Sequence, residues 1–169
     1  GATGITTDEK GTMQLKIHAF GLGLVLLAFT TAALAADDRA KISADKGREA
    51  LAVLKSTAPE GEKALACKRL AVYGRTEAVP ALAALLSDEK MASWARIALE
   101  AIPDRTADAA LREALPKLNG KLLVGVINSI GVRRDTRAVG ALTKKLNDAD
   151  VPVAAAAAIA LGRIGGDSA

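Results

Sequence analysis

Apolar residues fall at helical intervals along most of the chain, and nowhere do they alternate in the two-residue rhythm of a strand. Glu49-Ala50-Leu51-Ala52-Val53-Leu54 sets Leu51 and Leu54 three apart, predicting a short helix stopped by Thr57-Ala58-Pro59. The stretch Glu62–Tyr73 predicts the next, with Leu65, Ala66, Leu70 and Tyr73 along one side and Gly74 where a left-handed cap residue is wanted. Over Glu77–Leu86, Val79, Leu82 and Leu86 stay in register and Pro80 sits in the opening turn, where proline is best tolerated. Ser87-Asp88 links that helix to one over Glu89–Ile102, which Pro103 closes. Thr106 is placed to cap a helix striped by Ala110, Leu111, Leu115 and Leu118, its last turn distorted by Pro116. Beyond Asn119-Gly120, Lys121–Ile130 turns Leu123, Ile127 and Ile130 one way. Asp135 or Thr136 caps a helix carrying Val139, Leu142 and Leu146, and Asp150 caps the alanine-rich Val151–Ile164.

These helices recur as pairs. An apolar helix end followed by a breaker appears at Leu70-Ala71-Val72-Tyr73-Gly74, Leu99-Glu100-Ala101-Ile102-Pro103, Ile127-Asn128-Ser129-Ile130-Gly131 and Leu161-Gly162-Arg163-Ile164-Gly165. The breakers lie 29, 28 and 34 residues apart, a period that signals stacked units, each burying its apolar face against its neighbours. The expected fold is all-α: a right-handed α-solenoid of antiparallel helix pairs, about three repeats preceded by an N-terminal helical cap.

In such a stack the second helix of each pair lines the concave face. Counting back from each breaker, positions one and four earlier (Leu70/Tyr73, Leu99/Ile102, Ile127/Ile130, Leu161/Ile164) are the core. Positions three, seven and ten earlier share another face, where the middle two units present Ser93, Arg96, Glu100, Lys121 and Asn128. That polar strip is the candidate partner-binding surface, against the plainer reading of a solvated helix face. Gly125 and Gly140 fall in mid-helix, where close approach of a neighbour would justify the loss of helix propensity.

The first 35 residues read differently. Met13-Gln14-Leu15-Lys16 opens a stretch free of Asp, Glu, Lys and Arg from Ile17 to Ala36, with an apolar centre from Gly21 to Phe29 and the small-residue exit Ala33-Leu34-Ala35. This pattern predicts a secretory signal peptide over 13–35, the alternative being an uncleaved anchor, and hence a periplasmic or cell-surface location. Residues 1–12 precede the expected start methionine and read as a leader foreign to the mature protein. The remaining organisation is an N-terminal helical segment over 36–59 and a repeat domain over 60–169. The array breaks off at Gly165-Gly166-Asp167-Ser168-Ala169, where another first helix is expected, so its C-terminal end reads as truncated.

Composition narrows the chemistry. Half the residues are hydrophobic but only 2% are aromatic, so alanine and leucine carry the core, as suits close-packed helices. The sole histidine, His18, lies in the signal segment, which leaves a mature chain without a Ser-His or Cys-His pair or a histidine-ligated metal site. No cofactor or metal is called for. A single cysteine, Cys67, excludes an internal disulfide. Cys67 reads as a small core residue, with a reactive thiol favoured by Lys68 and Arg69 as the alternative. Trp94 reads as packing between second helices, with an anchor for a partner as the alternative. Net charge is +4, too small and diffuse to imply nucleic acid. The densest basic cluster, Arg133-Arg134 with Arg137, backed by Lys144-Lys145, reads first as a solvated loop, with an anion-binding patch as the alternative, and no aromatic residue interleaves with it to stack on bases.

The segments Asp150–Gly165 and Glu77–Asp88 resemble the second and first helices of a HEAT repeat, in the short bacterial form called PBS-lyase HEAT-like. The resemblance spans about residues 60–169 and departs at Val153-Ala154, where the family opens its second helix with a valine-arginine pair, and at Pro103, which takes the place of a glycine. It implies a non-enzymatic scaffold or adaptor that binds a protein partner of unknown identity through its concave helical face. Some members of the family act on bilins or damaged bases, so a bilin-lyase-like or other cofactor-handling enzyme is one alternative. A passive spacer within a larger envelope protein is another.

Overall fold

The computed structural model describes residues 36–165, and among them every regular element is helical. The chain divides into two compact units, Gly1–Ser43 and Ala44–Ala169. The expected leader, signal segment and final link (residues 1–35 and 166–169) lie outside the described residues. Residues 36–55 are helical (α1), longer than the short helix expected around Leu51, and α1 contributes its residues from Ala44 onward to the second unit.

That unit continues through α2 (Glu60–Tyr73), a 3-10 turn Thr76–Ala78, α3 (Val79–Ala83), α4 (Ala92–Ala101), α5 (Arg105–Ala114), a 3-10 turn Leu115–Lys117, α6 (Gly120–Arg133), a 3-10 turn Thr136–Ala138, α7 (Val139–Lys145) and α8 (Val151–Gly165). The long helices pack on one another in chain order, α2 on α4, α4 on α6 and α6 on α8. Short helices α3, α5 and α7 pack on the long helix that follows each, and α3 also meets α5. Leu70, Leu82, Leu99, Ile102, Leu111, Ile127, Ile130 and Leu142 are fully buried between these layers. Burial of this kind contributes roughly 1.5–3 kcal/mol per large aliphatic side chain. Alanines fill the closest approaches, with Ala95, Ala98, Ala107, Ala138, Ala157 and Ala160 also fully buried.

Local chemistry corrects several expected boundaries. The residue that caps α5 is Asp104, not Thr106: its carboxylate accepts from Thr106 N (2.8 Å) and from the Thr106 hydroxyl (2.6 Å). These bonds, with a further one from Thr76, hold the Asp104 carboxyl below its ordinary range. Asp88 accepts from the backbone N–H groups of Lys90 (2.9 Å) and Met91 (3.1 Å) and so holds the turn before α4, which begins later than Glu89, at Ala92, without a side-chain cap of its own. Asp135 accepts from Arg137 N (3.1 Å) at the turn before α7. Helix α4 ends because the residue before Pro103, Ile102, is forced out of the helical region and adopts an extended conformation.

The glycine breakers behave unlike terminal caps. Gly74 follows α2 with φ −68° and ψ 147°, which is extended, not left-handed. Glycine is needed there because a Cβ would sit 2.3 Å from Leu70 O. Helix α6 runs straight through Gly131 and stops two residues later, with Arg134 as its left-handed cap at φ 52°. Gly131 instead serves packing: a Cβ on it would come within 2.9 Å of Ala160 Cα in α8.

Candidate functional site

The long helices expose an unexpected mixture of side chains. On α4 the solvent side is formed by Ser93, Trp94, Ile97 and Ala101, and Trp94 and Ile97 are 40% and 48% exposed. Neighbouring α2 exposes Leu65 and Val72 beside Lys68 and Arg69, and α8 exposes Ile159. Trp94, expected to pack between second helices, therefore shows much of its ring to solvent.

The polar strip expected on this face splits into two sets. Arg96 and Glu100 do not project freely; they tie α4 to α6. One Arg96 Nη donates to Gly125 O (3.1 Å) and to Ser129 Oγ (3.3 Å), while the Ser129 hydroxyl donates to Glu100 Oε1 (2.6 Å) with Gly125 O also in reach (3.1 Å). Ser129 is completely buried, so this network satisfies a hydroxyl that would otherwise cost free energy inside the core. Gly125 makes room for it: a Cβ there would lie 2.7 Å from Arg96 Nε. Close approach thus explains Gly125 but not Gly140, beside which there is open space. Ser93 and Lys121 remain exposed and Asn128 is half-buried. Lys121 lines a depression with Glu89, Asn119, Gly120 and Leu122.

The basic cluster is also divided. Arg133 is half-buried with its side chain only 8% exposed, and its guanidinium is spent inside the protein. Its Nη atoms donate to the carbonyls of Leu99 (2.8 Å), Glu100 (3.0 Å), Ile102 (2.6 Å) and Asp104 (3.0 Å), and its Nε to the Asp108 carboxylate. These are the orphan carbonyls of the α4 C-terminus and the link after it, where a cation also suits the helix dipole. Arg133 therefore leaves the anion-binding patch: it is a cap supplied by one long helix to the one before. Arg112 pairs with Asp135, which is 8% exposed. Arg134 and Arg137 stay at the surface, joined by Arg105 and lining one polar cavity with both ion pairs.

Cys67 is fully buried, and burial pushes its thiol up to about 11, which outweighs a hydrogen bond acting the other way. At neutral pH the nucleophilic thiolate is a negligible fraction, so the reactive-thiol reading is withdrawn in favour of a small core residue. Among the described residues no group of three or more His, Cys, Asp or Glu side chains is arranged to hold a metal ion. None of the described helices is long and apolar enough to cross a membrane.

Comparison with protein-family models and with curated proteins finds no match for this chain. The class that the described residues define is all-α, with long helices packed in sequence and short helices set against them.

Proposed function

We propose that this protein is a non-enzymatic scaffold of HEAT-like helix pairs, stacked as an α-solenoid, that binds a protein partner through the exposed face of its second helices. The observation that carries this reading is the exposure of Trp94 and Ile97 on α4 next to a helix exposing Leu65 and Val72. Exposed large apolar side chains on packed neighbouring helices are the usual makings of an interaction surface, and tryptophan is over-represented among interface anchors. The proposed contact set accordingly moves from Arg96 and Glu100 to Trp94 and Ile97, keeping Ser93, Lys121 and Asn128 as its polar members. Export to the periplasm or cell surface belongs to the same proposal and rests on the sequence of residues 13–35 alone. Burial of Cys67 removes the thiol that the cofactor-handling alternative would use.

The test is affinity capture from an envelope extract with the wild-type chain beside a Trp94→Ser/Ile97→Ser variant of unchanged helical content. A protein retained by the wild type and lost by the variant, then shown to bind directly when purified, is the expected result. Retention of the same proteins by both, or of none by either, would remove this face from the reading.

A further inference from the structure

Beyond the proposed partner surface, we infer that the cavity between the α5 N-terminus and the α6–α7 turn is a binding site for a phosphate group, borne by inorganic phosphate or by a phosphomonoester. The cavity measures about 270 Å³ and is lined by Arg105, Arg112, Arg133, Arg134 and Arg137 against only Asp108 and Asp135, besides Pro103 and Thr136. Five cations against two anions leave three positive charges uncompensated.

The ion pairs show which three. Asp135 is taken by Arg112 and Asp108 by Arg133, whose remaining donors are occupied by backbone carbonyls. Both carboxylates are thus engaged and fix the cavity wall. The guanidiniums of Arg105, Arg134 and Arg137, all three residues exposed, have no hydrogen bond or ion pair to any of the described residues. Three such groups around one depression repel one another until a counter-ion enters. A monocarboxylate would neutralise one of them. A phosphate dianion neutralises more and offers several oxygens to the forked N–H donors of arginine.

A second feature concerns Arg134. It is the only non-glycine residue with positive φ among those described, at 52°. The left-handed region is unfavourable for an L-residue with a Cβ, and glycine or asparagine would fill the position with less strain. Arg134 lines the cavity and keeps this backbone conformation despite the strain, which is the pattern expected where a side chain has a task beyond capping.

The full chain is titrated with inorganic phosphate, with glycerol phosphate and with acetate, all at matched ionic strength set by chloride, following both heat and Tm. Saturable binding of a phosphate compound, and none of acetate, is expected. Binding should weaken about tenfold or more in each of Arg105→Gln and Arg137→Gln, the loss of a charge-assisted bond. Arg134→Gly separates ligand binding from folding: it relieves the backbone and so raises Tm while weakening phosphate binding. Lys117→Gln/Lys144→Gln, with the same kind of charge removed outside the cavity, should bind as wild type does. Tighter binding of the ester assigns the site to phosphomonoesters, and tighter binding of inorganic phosphate assigns it to the free ion; both support the site. Binding of neither, or an equal loss in the Lys117/Lys144 variant, would overturn it.

Discussion

Arg133 and Arg137 stand four residues apart in one basic run, yet they do opposite things. Arg133 is folded inward, where its guanidinium satisfies four carbonyls and the Asp108 carboxylate, while the Arg137 side chain is exposed and has no partner among the described residues. Arg133→Met should lower the free energy of unfolding in urea by about 3 kcal/mol, because it leaves Asp108 and the end of α4 unsatisfied together. Arg137→Gln should change it by less than about 0.5 kcal/mol, as surface substitutions do. Equal effects from the two would show that the capping geometry contributes little. The distinction is invisible in the sequence, since the carbonyls that Arg133 serves lie 29 to 34 residues upstream and local spacing carries no trace of them. The same holds for Arg96, Glu100 and Ser129. Each reads locally as a surface or neutral position, and only the packing of α4 on α6 makes them a network.

At the scale of elements, the existence of the helices was legible because their cores repeat at helical intervals. Of the positions chosen by counting back from the breakers, Leu70, Leu99, Ile102, Ile127 and Ile130 are fully buried, whereas Tyr73, Leu161 and Ile164 are half-buried. The end positions were less legible, because a glycine has several physical uses and the sequence does not say which. Gly131 looks like a stop and is a packing contact, whereas the stop is a strained arginine three residues later. The glycines of α6, α7 and α8 should therefore respond to alanine with opposite signs. Gly131→Ala pushes a methyl group against the backbone of Ala160 and should cost about 1–3 kcal/mol, the usual range for overpacking. Gly140→Ala and Gly162→Ala meet open space and should each stabilise by about 0.5–1 kcal/mol through helix propensity. Thermal unfolding of the three variants checks this, and a stabilised Gly131→Ala would mean that α6 and α8 do not approach as closely as described.

Over the whole molecule, the order of packing matters more than any one contact. The main contacts among the long helices α2, α4, α6 and α8 run between neighbours in that series, with the short helices set against them. Under the stacked-repeat reading, stability is close to a sum over units and their nearest-neighbour interfaces, so damage should stay near its origin. Leu70→Ala removes fully buried apolar volume from α2 and should cost about 2–5 kcal/mol locally. Amide exchange should then accelerate in α2 and α4 while α6 and α8 keep nearly native protection. Ile127→Ala lies in the helix that meets α4, α5 and α8, and it should accelerate exchange on both sides of the cavity at once. Uniform acceleration from either variant would identify a single cooperative core instead of an array. The contrast also bears on function. Under the proposed function, a locally coupled array would let the exposed face of α2 and α4 bind a partner without disturbing the arginine cavity beside α5 and α6. Exchange protection gained on adding phosphate should accordingly remain within α5, α6 and the turn before α7.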